Sequence, residues 1–346
     1  MLRSVLRSLI PTFDLDPAHI EHRLRARLSR TEFFGLCFAA GMLLVFIYLY
    51  VTGINKAYDL DCYYRGVRGD FREFHYAHWS LPFFWLLMQL PPVPTYLIWA
   101  LINLAGVWLA CRIFNMRPAI VLISYQMFYI LYYGSITGVI IGALALFWWA
   151  LQRERYVWAG AALIVAITKF QLGVIFALAL VVLAGVSWRN LLKISIIPAV
   201  VVIVSLIVDP IWPIKFVAYL IVWPSNTWGS ITLWQWIGPI SALLWLPVLF
   251  VPLSPGRRLA AVAATSALAL PYFQQSDLLL LFVLPIGSLF ALLGNLGYLM
   301  GVMSWSALKL LALVPLIAYI VIFAQEIRQR LIQSRGTPTA SEITAS

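Results

Sequence analysis

Apolar runs long enough to cross a bilayer recur along this chain, separated by short polar breaks. A spanning helix needs ~20 mostly apolar residues, with a range of ~17–25. By that measure residues 33–52, 94–112, 118–134, 136–152, 156–169, 171–187, 191–208, 231–252, 258–272 and 277–294 read as spans, with a further one ending near Gln325. The run 156–169 is short, but its flanks extend it. The pattern predicts an all-α, polytopic integral membrane protein with 11–12 transmembrane helices across residues 33–326. A cytosolic segment at 1–32 precedes it and a polar tail at 327–346 follows. The count turns on Pro285. If it breaks one run, residues 286–305 form a Gly-rich helix of their own, and Arg328, Arg330 and Arg335 fall on the same side as the N-terminus.

Two apolar stretches are too short to span. Residues 78–90 (HWSLPFFWLLMQL) end in Pro91-Pro92 and carry Trp79 and Trp85; residues 211–223 (IWPIKFVAYLIVW) are Trp-rich and bounded by prolines. Segments of this length and composition are expected to lie as helices in the headgroup plane. Together they would form a shelf open to a lipid-linked substrate arriving sideways.

Composition agrees with the pattern. Hydrophobic residues make up 63% of the 346 residues and charged ones 11%, with mean hydropathy +0.91. A soluble domain carries ~25% charged residues. The net charge of +11 does not imply nucleic acid, because the basic residues sit in short clusters between apolar runs and not on one soluble face. With the N-terminus inside, Arg112, Arg117, Arg153, Arg155, Arg189, Lys193, Arg257 and Arg258 all fall on the cytosolic side. The opposite side receives outer loops 53–93 and 209–230, the turn Gly134-Ser135, Lys169, and the turn Tyr272–Asp277. No cleavable leader is expected, since the first long apolar run starts only at Phe33. A short interfacial helix at 1–10 is one reading of the Arg-rich head and plain disorder the other. Cys37, Cys62 and Cys111 suggest no disulfide framework.

The chemistry should sit in the polar island 53–79. It holds four of the 13 acidic residues (Asp59, Asp61, Asp70, Glu73) and four of the 24 basic ones (Lys56, Arg65, Arg68, Arg72), with His75 and His78. Ionisable residues gathered at a helix end in a bilayer protein point to a polar substrate. A carboxylate there, Asp59 or Asp61, can serve as general base on a sugar hydroxyl, although pairing with the nearby arginines accounts for the pattern equally well. Lys169 lies between two apolar runs with almost no loop, where burial at the bilayer centre costs ~2.5–3.5 kcal/mol. Few protein partners are expected for it, so a phosphate is a natural one and snorkelling the alternative. Asp277 opens an apolar run, as a helix-start carboxylate or a substrate contact. Asn226, Ser230 and Thr232 can hydrogen-bond a sugar. His75 and His78, three apart, have a spacing common by chance, and no metal is expected. Phosphate-loop, HExxH and nucleophile-elbow motifs are absent from the sequence.

In order along the chain, Asp59-Leu60-Asp61-Cys62-Tyr63-Tyr64, Phe74-His75-Tyr76 before Leu81-Pro82, Tyr133-Gly134-Ser135, Lys169-Phe170-Gln171, and Leu270-Pro271-Tyr272 with Asp277 resemble the polyprenol-phosphate-mannose-dependent mannosyltransferases, glycosyltransferase family 87 of the GT-C superfamily. Ser135 stands where the family usually has Gln, Phe170 where it has Pro, and Ala77-His78 where it has a Pro pair. The resemblance implies a sugar, mannose first, carried on a polyprenyl phosphate at the outer face of the plasma membrane. It is transferred with inversion to a glycan, glycolipid or protein acceptor, without a cofactor. It further implies Asp59 as base with Asp61 the fallback, Lys169 with Arg65 and Arg68 at the donor phosphate, and Tyr63, His75, Tyr76, His78, Asn226, Tyr272 and Asp277 at the substrates. A lipid or polysaccharide transporter is the rival reading. It calls for ionisable residues on broken helices at the midplane, whereas here they cluster at helix ends. A membrane acyltransferase would place a histidine on or near a span, and all four histidines lie outside the apolar runs.

Overall fold

A computed structural model describes residues 17–71, 74, 76–222, 230–284, 288–304 and 306–336. Expectations for residues 1–10, Arg72, Glu73, His75, Asn226 and Pro285 lie outside them. Within the described residues the fold is helical apart from one antiparallel bridge, Ser230 to Gln274.

The polar head contributes α1 (Pro17–Arg25) and leads to α2 (Arg30–Val51). Ser29 starts α2 by accepting from the Glu32 backbone N–H, while the Glu32 carboxylate accepts from the Ser29 N–H, a reciprocal cap. The first outer loop folds into α3 (Tyr58–Val67), a 3-10 turn at His78–Ser80 and α4 (Leu81–Leu87), and α5 (Pro92–Ile113) returns through the membrane. The expected run 118–134 is broken into α6 (Pro118–Leu122) and α7 (Tyr125–Tyr133), because the Ser124 hydroxyl accepts from Met127 N–H and starts a new helix. Then α8 (Thr137–Gln152) leaves α7 at a bend of 115°. Gly134 makes that bend possible. Its φ is 72°, a left-handed conformation that glycine adopts without cost, and a Cβ there would lie 3.0 Å from that of Leu60.

The chain continues through α9 (Tyr156–Ala166), α10 (Phe170–Leu183), α11 (Trp188–Val208) and α12 (Trp212–Val222). The expected run 231–252 is split into α13 (Trp234–Ile237), a 3-10 stretch and α14 (Trp245–Phe250), since Gly238 takes φ 60° immediately before Pro239. α15 (Pro255–Ala269) is followed by a 3-10 turn at Gln275–Leu278 and α16 (Leu279–Phe282). α17 (Ser288–Gly294), α18 (Leu296–Met303), a 3-10 turn at Ala307–Ala312 and α19 (Leu313–Gly336) complete the chain.

Four stretches are long and apolar enough to cross a membrane alone: α2, α5, α11 and 307–331, or five if α7 and α8 form one bent span. The other expected spans take the form of shorter apolar helices, among them α9, α10, 234–250 and 290–303. The protein is a polytopic all-α membrane protein. Tight packing comes from small residues: at the crossing of α5 and α8 a Cβ on Gly142 would sit 2.6 Å from Gly106 Cα. Exposed Ile196, Val200, Ile203 and Ile207 cover α11, the apolar surface expected of a lipid-facing helix.

One end of the bundle is locked by charge. Arg112, at the end of α5, pairs with Glu32 at 2.8 Å and donates to the backbone carbonyls of Arg23 and Ala26. Arg23 answers with bonds to the carbonyls of Arg112 and Ile113, and Arg153 pairs with Glu21. In this way α1 docks against α5 and α8.

Candidate active site

The opposite end holds a second cluster, built from four separate turns. The first is α3. Asn55 accepts from Ala57 N–H and donates to the Tyr132 carbonyl, tying the start of the helix to α7. Ala57 sits at φ 44°, which turns the chain into α3. Asp59 and Asp61 occupy its first turn, where the helix dipole favours carboxylates. Two positions apart means ~200° around a helix, so they cannot share a face. Leu60 and Tyr63 are buried and Asp59 is half-buried. Asp61 is exposed and pairs with Arg65 at 3.1 Å on the outward side. Arg68 is exposed at the end of the helix.

The second turn is Gly134-Ser135-Ile136, leading into Thr137. The third is the link between α9 and α10, three residues ending in Lys169. The fourth is Tyr272–Asp277. Lys169 Nζ, almost fully buried, meets Asp277 Oδ1, Thr137 Oγ1 at 3.1 Å and the Gln274 side-chain oxygen at 3.4 Å. An ammonium has three donors, and all three are taken. The few protein partners expected for Lys169 are thus corrected: Asp277 is its counter-ion, 108 positions away. Asp277 also accepts from Thr137 at 3.0 Å and from Gln274 N–H at 3.2 Å. The last bond closes a cap on the 3-10 turn, so the helix-start reading of Asp277 holds.

Asp59 faces this ion pair. Burial pushes its carboxyl up to about 6, opposed by the Lys169 ammonium and the Ser135 hydroxyl and assisted by the Asp277 charge. Asp59 and Asp277 against Lys169 leave one net negative charge when all are ionised, and that charge lies on an unpaired carboxylate beside an ammonium. Such a carboxylate can take a proton near neutral pH. Tyr63 and Tyr76 are joined by a hydroxyl–hydroxyl bond of 3.2 Å, and Tyr63 stacks on Phe84 at 4.3 Å. The Tyr272 hydroxyl senses Asp277, Tyr76, Tyr129 and Asp59; burial raises its pKa and those of Tyr63 and Tyr76 well above the usual value and keeps all three protonated. Four of the expected residues therefore converge with Asp59: Tyr63, Tyr76, Lys169 and Asp277, with Tyr272 beside them. The structure sets Asp61, Arg65 and Arg68 on the outward face of α3.

His78 is engaged elsewhere. It is buried, stacks on Phe71 at 4.6 Å and on Trp212 at 5.8 Å, and its Nδ1 lies 3.3 Å from Asp209. Lys215 reaches the same Asp209 oxygen at 3.0 Å. This cluster fastens the first outer loop to the α11–α12 corner, while Trp79 donates to Thr168 beside Lys169 at 3.3 Å. Sequence reasoning missed Asp209, Thr137 and Gln274. A lone Asp at the end of an apolar run was the available signal for the first, and small polar residues in turns gave none for the others. No group of three or more His, Cys, Asp or Glu is placed to hold a metal ion among the described residues.

The fold and this cluster define a polytopic membrane protein with a buried Lys169–Asp277 ion pair, faced by Asp59, at one end. Residues 74–294 match the family model of Glycosyltransferase family 87. The match spans more than half of the chain, which belongs to that family and is a membrane glycosyltransferase. It covers Lys169, Tyr272 and Asp277 but starts downstream of Asp59. Comparison with curated proteins and with solved structures gives no match.

Proposed function

We propose that this glycosyltransferase takes its sugar, mannose first, from a polyprenyl phosphate and transfers it with inversion to an acceptor hydroxyl at the outer face of the plasma membrane. Asp59 takes the acceptor proton as the acceptor oxygen bonds to the anomeric carbon. The bond from that carbon to the phosphate oxygen breaks, and the polyprenyl phosphate leaves with the electron pair. Lys169 balances the charge gained by the departing phosphate. To contact it directly, Lys169 gives up Gln274, its longest hydrogen bond, while Asp277 and Thr137 hold it in place. Tyr63, Tyr76 and Tyr272 line the sugar site. Arg65 and Arg68, on the outward face of α3, are second contacts for the phosphate.

The observation that carries this reading is Asp59, uncommitted to any cation, set beside the buried Lys169–Asp277 pair. The outward orientation rests on the basic residues at the Arg112 end. The test is incubation of purified protein with a panel of polyprenyl-phosphate sugars and nucleotide sugars plus membrane extract, with products identified by mass spectrometry. Glycosylated product from a polyprenyl-phosphate donor is expected. Transfer from nucleotide sugars alone overturns the reading.

A further inference from the structure

The link from α9 to α10 is three residues long and ends in Lys169, whose ammonium bonds to side chains from other turns. The residue before it, Thr168, is buried. Its hydroxyl donates back to the Ile164 carbonyl in the last turn of α9, at 3.2 Å, a bond threonine commonly makes in helices. That commits its one proton and leaves the oxygen free to accept. The indole N–H of Trp79, from the first outer loop, donates to it at 3.3 Å. Trp79 is in turn set by α12. Its ring meets Trp212 edge to face, with centroids 5.2 Å apart and planes at 87°. Trp212 is buried and anchored, since its own N–H donates to Ser205 of α11 at 3.1 Å and His78 stacks on it. α12 also carries exposed Ile214 and Val217, an apolar side open to lipid. Two indoles thus join a lipid-facing helix to the residue before Lys169.

We infer that Trp79 is a positioning residue for the donor phosphate. Through Thr168 it pins the Lys169 turn to α12, so the ammonium can swing from Gln274 to a phosphate while the backbone beneath it stays in place. The inference rests on the reading of Lys169 as the phosphate contact. An ammonium finds its partner by rotating a flexible stem, so its reach depends on where that stem starts. Backbone bonds hold the turn along the chain: Thr168 N–H donates to Val165, and the Leu172 and Gly173 N–H groups donate to the Lys169 carbonyl. Trp79 adds a tie across the chain. It comes from the same outer loop that carries Asp59, and so keeps that loop in register with the turn that carries the cation. A phenylalanine at position 79 would preserve the ring contact with Trp212. What tryptophan adds is the N–H, and it is aimed at the Lys169 turn.

The test measures binding of two probes, farnesyl phosphate and farnesol, to the full chain in nanodiscs. The probes share a chain and differ in the phosphate. Wild type is expected to prefer farnesyl phosphate. Trp79→Phe should weaken that probe by about three- to tenfold, the range for one neutral hydrogen bond. Farnesol affinity should stay within twofold, which also shows that the variant folds. Thr168→Val should do the same, and Thr168→Ser should restore wild-type affinity. The double variant, Trp79→Phe with Thr168→Val, should be no weaker than the worse single one, because both changes remove the same bond. Unchanged farnesyl phosphate affinity in Trp79→Phe overturns the proposal. So do equal losses for both probes, which mark a packing role, and losses that add in the double variant. Lys169→Ala separates this from the reading beneath it. If its folded fraction loses farnesyl phosphate affinity and Trp79→Phe does not, the positioning role alone fails. If its affinity is unchanged, Lys169 is not the phosphate contact and the proposal falls with that reading.

Discussion

Two buried ion pairs, one at each end of the bundle, carry the same formal charges and do different things. Arg112–Glu32 is saturated by backbone: the guanidinium also holds two carbonyls, and Glu32 caps its own helix. No charge there is left over, and the pair acts as a rivet between α1, α2 and α5. Lys169–Asp277 is held mostly by side chains from turns, and a third charge, Asp59, faces it without a cation of its own. Buried pairs are weak sources of net stability but severe liabilities when halved. A rivet tolerates that trade. In the proposed site the surplus charge is the one that does the chemistry.

The largest test of this contrast is Asp59→Asn. Loss of general-base help typically costs ~10²–10⁴-fold in rate, and that drop is expected in single-turnover transfer assays, with folding intact. Near-normal turnover there, with Asp61→Asn dead, would move the base two residues along. Next comes Arg112→Ala, which strands Glu32 and is expected to destabilise by ~3–5 kcal/mol. Thermal unfolding in detergent reads it, and surviving molecules should keep their kcat. If kcat falls while stability holds, the two ends are not divided as described.

Lys169→Ala strands the fully buried Asp277 and is expected to destabilise by ~3–5 kcal/mol as well. In the folded fraction it should weaken donor binding by ~1.5–3 kcal/mol, the range for a hydrogen bond to a charged group, and spare acceptor binding. Lys169→Arg restores it only in part, since a planar fork does not fit the space of an ammonium. Unchanged donor affinity in the alanine variant would return Lys169 to a structural role like that of Arg112. The pH dependence is smaller. Asp59 is raised from 3.8 to about 6 in the folded protein, so the folded state binds this proton more tightly than the unfolded one. Stability contributed by that proton is full below about pH 4 and lost as pH rises through about 6. Activity runs the other way, falling about tenfold per pH unit below 6, because the base is protonated. Asp59→Asn should abolish this arm of the stability profile. The smallest effect is expected for Asp61→Asn, whose exposed pair with Arg65 is worth ~0–1 kcal/mol.

Much of this contrast could be read from the chain. Charge clusters at helix ends, the polar island and the anomalous Lys169 all follow from the cost of placing ions in lipid. The pairing of Lys169 with Asp277 was not legible, because two turns so far apart meet only once the helices between them have packed. Nor was the division between Asp59 and Asp61, which needs the start of α3 fixed by Asn55 and Ala57. Tyr125, Tyr129, Tyr132 and Tyr133, which line a cavity between α7 and α18, repeat at helical spacing, yet read as part of an apolar span because hydropathy does not distinguish a phenol lining a cavity from one facing lipid. The division of the run 118–134 at Ser124 was hidden for a related reason: a serine cap is one polar residue in an otherwise apolar stretch.

The distance in sequence between Lys169 and Asp277 also bears on biosynthesis. At ~5–20 residues per second, about 5–20 s of translation separates the emergence of the lysine from that of its counter-ion. Throughout that interval the lysine after α9 lacks its ion-pair partner, and only the charge of Asp59 is near to offset it while α10 to α15 are made. Only the arrival of the fourth turn lets it sink into place. On the proposed mechanism the site is complete only when four-fifths of the chain has been made, so a product truncated before Asp277 is expected to be inactive.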